Sequence, residues 1–169
     1  MEEDKNNPWV IFNYEVFMLI YTTYLSKVYN KPKEIEQLTQ VNALVESRFL
    51  HLRVLTELLI SKNKGYSDDI CLNDIIDESL HSSFIKNLID ELKATYGKSS
   101  DEGSPCWTLN KMLVHPSRFR SSAYNYSSVY DSLFPIIFNL LTEIHTFTLN
   151  EDLNKYLVFA QKNIIQFIK

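Results

Sequence analysis

Glycine is nearly missing from this chain: only Gly65, Gly97 and Gly103 occur among 169 residues, each between stretches of helical periodicity. Sheet proteins need many tight turns, and turns with positive φ draw on glycine, so this scarcity argues against strands. Cysteine is almost as sparse. Cys71 and Cys106 form no metal-type spacing, their positions leave a disulfide between them open, and a reduced, cytoplasmic protein is the simpler expectation. Long apolar runs are absent too: residues 133–141 are interrupted by Pro135 and Asn139 and fall far short of the ~20 residues a membrane span needs. The first residues, Met-Glu-Glu-Asp-Lys, are acidic and lack the basic region of a signal peptide. There is no phosphate-cradling glycine loop, no Gly-x-Ser-x-Gly elbow and no dinucleotide fingerprint. No His-x-x-x-His occurs, nor the repeated Glu-x-x-His of di-metal bundles, so neither a metal site nor a cofactor is expected.

What remains is ample for one domain spanning 1–169. An apolar fraction of 45% and a charged fraction of 22% match globular averages and exclude a disordered chain. The net charge of -4 excludes a generic nucleic-acid binder, so any such binding has to rest on a local patch. Apolar residues recur at helical steps. Trp9, Phe12, Val16 and Leu19 predict a first helix over 8–29, with Pro8 suited to its first turn and Asn30-Lys31-Pro32 ending it. Tyr14, Phe17, Tyr21 and Tyr24 widen that helix's apolar surface beyond one stripe, which predicts cover on more than one side. A second helix is predicted over 33–62, then others over 80–96, 107–114, 125–147 and 150–168, with Asn150 as a cap for the last. The expectation is an all-α, up-and-down bundle of about five to six helices.

Two polar residues break the pattern of the second helix. Leu38, Val41, Val45, Leu52, Leu55 and Leu59 form a seam into which Arg48 intrudes, and His51 interrupts the stripe of Leu44, Leu55 and Leu58. Burying such groups mid-helix without partners is costly. Further on lies a basic island: Asn110, Lys111, His115, Arg118 and Arg120 fall in a stretch, 104–130, that holds no Asp or Glu. Lys111 and His115 are four residues apart, on one face where the helix continues that far. An imidazole titrating near neutrality can serve as general base or acid on a ribose hydroxyl, and neighbouring cations can stabilise charge on phosphate oxygens. Each residue also has a plain structural explanation: His115 as a helix cap, His51 as a core histidine with a hydrogen bond, and Arg53 with Glu57 as a surface pair.

The segments Asn42-Ala43-Leu44-Val45-Glu46-Ser47-Arg48-Phe49-Leu50-His51-Leu52-Arg53 and Asn110-Lys111-Met112-Leu113-Val114-His115 resemble the paired motifs of small bacterial helical proteins similar to the HEPN superfamily. That resemblance implies a HEPN-like bundle, a symmetric homodimer, and a role in binding or cleaving RNA or binding a nucleotide. Under it, Glu46, His51 and Arg53 face Lys111 and His115 across helices. As a metal-independent ribonuclease, the protein would use His115 as general acid/base, Lys111 as phosphate stabiliser and Glu46 as orienting group, with His51, Arg53, Asn110, Arg118 and Arg120 binding. Ribonuclease members of the superfamily carry an Arg where this chain has Asn110, and Pro116 follows the histidine here. The competing expectation is a non-enzymatic dimerisation or partner-binding module in which the same polar residues form a structural hydrogen-bond network.

Overall fold

A computed structural model describes residues 7–29, 34–61, 66, 69–111 and 127–165. Within them the chain forms seven α-helices and no strand: α1 (Pro8–Val28), α2 (Ile35–Ile60), α3 (Leu72–Ile75), α4 (Ser83–Tyr96), α5 (Pro105–Leu109), α6 (Ser127–Thr148) and α7 (Glu151–Asn163). It is an all-α helical bundle. None of these helices is long and apolar enough to cross a membrane.

Local chemistry sets the helix ends. Asn7 accepts the N–H of Trp9 at 3.0 Å, and Pro8, whose missing N–H costs nothing there, opens α1. Ser82 accepts from Ile85 N–H to start α4, Ser104 from Trp107 N–H to start α5, and Asn150 from Leu153 N–H to start α7. Gly97 ends α4 at φ 71°, and a Cβ there would lie 2.8 Å from the Ser104 Cβ, so position 97 excludes any side chain twice over. The α6–α7 corner is made instead by Leu149 at φ 52°, a left-handed conformation that a branched residue adopts at a cost of about 1 kcal/mol.

α2 lies at the centre, packing against α1, α4, α5 and α6; α7 closes over α1 and α6, and α4 lies along α6. The core joins Phe12, Val16 and Leu19 of α1 with Phe49, Leu52, Leu55 and Leu59 of α2, Ile85 and Leu92 of α4, and Leu133, Phe134, Ile137 and Leu140 of α6.

The helix count exceeds the five to six expected because α3 hides in a stretch that reads as a break. It is one turn, too short for a period, yet it buries Leu72 and Ile75 and is held by Asp74, which accepts the Cys71 N–H at 2.9 Å. The expected seam of α2 is covered only in its second half. Leu38 stays 47% exposed, and deep burial begins at Phe49, since no described element lies over the first turns. Pro135 does not interrupt α6, which runs through it.

Candidate interaction face

The polar residues of α2 point in two directions. His51 is buried against α1, where its Nδ1–H donates to the Glu15 carboxylate at 2.6 Å and its ring meets Tyr14 edge-on at 5.9 Å. A contact this short has the character of a charge-assisted hydrogen bond. It pins α1 to α2 in one register. Two residues on, Arg53 lies on the other side of the helix. Its Nε donates to Glu57 Oε1 at 2.9 Å, and the same oxygen accepts the Tyr96 hydroxyl of α4 at 2.9 Å. The Cys106 thiol of α5 stands beside that hydroxyl, and Asn110 Nδ2 donates to the Cys106 sulfur at 3.6 Å.

A continuous relay therefore runs from Asn110 through Cys106, Tyr96 and Glu57 to Arg53, tying α5, α4 and α2 together. Burial first, then the Glu57 charge, raises the Tyr96 hydroxyl well above the ordinary tyrosine range. Burial opposes the charge on Arg53, but the Glu57 hydrogen bond and charge outweigh it and raise its pKa.

Of the residues singled out in the sequence, Arg53 and Asn110 thus meet in one network, with Lys111 half-buried at the π-type turn that follows α5. The expected alignment of His51 toward Lys111 is not what forms: His51 faces α1, because two residues of helix rotate a side chain by about 200° from Arg53. Glu46 is exposed on the first half of α2. His115, Arg118 and Arg120 lie outside the described residues. Neither cysteine is in a disulfide and both are buried, and among the described residues no group of three or more His, Cys, Asp or Glu side chains converges as a metal would require. The sequence reading missed Glu15. Its signal was available: Glu15 and Lys27 are the only charged residues in α1, and Glu15 directly precedes the fully buried Val16.

Arg48, the other intruder, sits at the junction of α1, α2 and α6. Its guanidinium lies 4.7 Å from the Phe49 ring centroid and 4.8 Å from that of Tyr130, and Nη1 donates to Ser26 Oγ at 3.3 Å. Burial lowers its pKa; burial and then the Arg48 charge lower that of neighbouring Lys27.

The most unusual surface belongs to α1. Its inner stripe, Phe12, Val16, Leu19, Thr23 and Ser26, is wholly buried, with the Thr23 hydroxyl returned to Leu19 O at 2.7 Å and Ser26 to Thr23 O at 2.9 Å. Val10, Tyr14, Phe17, Tyr21, Tyr24 and Val28 form a second stripe on the opposite side, also at alternating steps of four and three. Four of its six residues are open, Val10 at 41% exposed, Tyr14 53%, Tyr21 42% and Val28 54%, while Phe17 and Tyr24 are half-buried. The stripe holds no charge.

α7 borders the stripe and extends it. Phe17 stacks on Tyr21 at 5.2 Å, Tyr21 on Phe159 at 5.8 Å, and Phe17 meets Tyr156 at 5.6 Å. At its N-terminal end the face opens into a groove of about 420 Å³ between Trp9, Asn13 and Phe17 of α1 and Asp152 and Tyr156 of α7. The Asn13 Oδ1 in this wall is buried without a hydrogen-bond partner, while its Nδ2 donates to Asn150 Oδ1 at 3.4 Å. No family model, curated protein or solved structure matches the chain.

Proposed function

We propose that this protein is a non-enzymatic, self-associating helical module whose interface is the outer face of α1 with the adjoining edge of α7. The observation that carries this reading is the order of residues in the open stripe. Taken about Leu19, it is a palindrome in size and shape: Val10 mirrors Val28, Tyr14 mirrors Tyr24, and Phe17 mirrors Tyr21. A two-fold axis places residue i of one protomer against j of its partner and j against i, so a palindromic helix face is complementary to itself in antiparallel pairing. Spacing of four and three is the period of left-handed helix pairs crossing at about 20°.

Size supports the same occupant. Large aromatic side chains carry roughly 150–250 Å² each, so these exposures leave several hundred Å² of apolar surface in water, the order of the ~800 Å² per partner of a standard interface. A helix apolar on all sides is ordinarily covered on all sides. The homodimer implied by the HEPN resemblance would use this face.

The polar residues of α2 fit the structural half of this reading. His51 is engaged by Glu15 and Arg53 by Glu57, so neither stands free for a substrate. The test is sedimentation across micromolar to millimolar concentrations. Wild type is expected to dimerise, and Tyr21→Glu, which sets a charge at the centre of the stripe, to remain monomeric with unchanged helical circular dichroism. A monomeric wild type, or a Tyr21→Glu protein that dimerises as tightly, would contradict the proposal.

A further inference from the structure

The groove between the N-terminal ends of α1 and α7 has a chemistry of its own, separate from the mirror order of the stripe. Four aromatic side chains line its roughly 420 Å³: Trp9, Tyr14 and Phe17 from α1 and Tyr156 from α7. Two of them are braced from behind or beside, Trp9 edge-on against Phe12 at 5.5 Å and Phe17 against Tyr156 at 5.6 Å. Two acceptors complete the wall. Asp152, in the first turn of α7, is the only charged residue among the described residues that line it. Lys155, which is not part of the wall, holds Oδ1 of that carboxylate at 2.8 Å. The negative charge still outweighs the positive one at the neighbouring phenol: after burial, Asp152 raises the Tyr156 pKa more than Lys155 lowers it. The second acceptor is Asn13 Oδ1, shielded from water and without a hydrogen-bond partner. Its amide is loosely held, since the bond from Nδ2 to Asn150 is 3.4 Å long. The last torsion of an asparagine is soft, so the oxygen can turn toward an occupant of the groove.

Aromatic rings, a carboxylate and an unanswered carbonyl oxygen favour one kind of guest. We propose that this groove binds a small aliphatic amine in its protonated, ammonium form. An anion would meet Asp152 and no cation among the described residues of the wall. A neutral apolar guest would leave the Asn13 oxygen without a donor. An alkylammonium answers all three features. Its positive head is drawn to Asp152 and to the electron-rich rings, its N–H groups donate to Asn13 Oδ1 and the carboxylate, and its alkyl stem lies against Trp9 and Phe17. A quaternary ammonium keeps the attraction to the rings but has no N–H to give Asn13. The groove is at the small end of ligand pockets, which suits a guest of a few carbons. All of its parts belong to one chain, so the site stands whether or not two chains associate.

The probes are n-butylammonium chloride and n-butyltrimethylammonium chloride, which share stem and charge and differ in their N–H groups. Titration calorimetry and thermal unfolding of the full chain at neutral pH, against sodium chloride of matched ionic strength, give the readout. Wild type is expected to bind n-butylammonium and to unfold at higher temperature in its presence. It is expected to bind the quaternary probe roughly tenfold more weakly, the worth of one hydrogen bond from a charged donor. Asp152→Asn, a change at a half-exposed side chain that the fold tolerates, is expected to weaken both probes roughly tenfold by removing the charge. Asn13→Leu, which keeps the bulk and removes the acceptor, is expected to abolish the preference for the primary ammonium. No effect of n-butylammonium beyond that of sodium chloride, or unchanged affinity in Asp152→Asn, overturns the proposal. So does a preference for the primary ammonium that survives Asn13→Leu. If Asn13→Leu does not fold, equal affinity of the wild type for the two probes overturns it in the same way.

Discussion

α1 and α4 each turn one face to the core, but only α4 is amphipathic by chemistry. α4 turns Ile85, Leu88, Ile89, Leu92 and Tyr96 inward and Lys86, Asp90 and Glu91 outward, the ordinary division for a helix with water on one side. α1 turns Phe12, Val16 and Leu19 inward, and outward it again shows Val, Phe and Tyr. Its two charges, Glu15 and Lys27, are both drawn toward neighbouring helices: Glu15 to His51, and Lys27 to the Ile164 carbonyl at 3.4 Å. The proposed self-association rests on this difference: α4 divides apolar from polar residues between its two faces, and α1 does not. Its outer stripe has the spacing and residue types of a packed seam; Tyr156 and Phe159 of α7 meet it along one edge, while Val10, Tyr14 and Val28 stay exposed.

That contrast can be broken from the inside first. Truncating the buried faces should be equally damaging on both helices. Phe12→Ala and Leu92→Ala each remove a fully buried side chain and are expected to cost about 3–4 kcal/mol in chemical denaturation. Next comes the His51–Glu15 latch of α1, where α4 has a tyrosine hydrogen bond to Glu57 instead. Glu15→Ala leaves His51 enclosed without its acceptor and is expected to cost about 3 kcal/mol, whereas Glu15→Gln, which can still accept from Nδ1–H, should cost less.

On the outer faces the helices should diverge. Tyr21→Glu is expected to weaken association by a hundredfold or more with little loss of monomer stability, while Lys86→Glu on α4 should change stability by no more than about 0.5 kcal/mol and association not at all. Another small effect lies away from both helices. Leu149→Gly, which relieves the left-handed backbone at the α6–α7 corner, is expected to stabilise by about 0.5–1 kcal/mol. Since the module is read as non-enzymatic, wild type and His115→Ala should give the same background in an RNA-cleavage assay.

The helical class and most boundaries were legible because long helices announce themselves by period. Pro8, Asn150 and the apolar steps of α1, α2, α6 and α7 all speak locally. α3 was not legible, since one turn has no period to detect; what holds it is its burial beneath distant helices. The interruptions of α2 were visible as anomalies, but their partners were not. Glu15 lies 36 residues before His51, and Tyr130 is 82 residues after Arg48, and no spacing rule connects residues that only tertiary packing brings together. Excess aromatic surface on α1 was evident from the sequence; that it occupies an open, charge-free and mirror-ordered stripe needed the arrangement of α2 and α7 around it.

The antiparallel pairing of α1 about Leu19 is the central claim, and cross-linking tests it most directly. Residues 10 and 28 are about 27 Å apart along one helix, far beyond the reach of a disulfide within a protomer. Val10→Cys and Val28→Cys proteins should each give little oxidised dimer alone and a mixed disulfide when combined. Ready self-cross-linking of Val10→Cys alone, or no mixed disulfide at concentrations where the wild type dimerises, would contradict it.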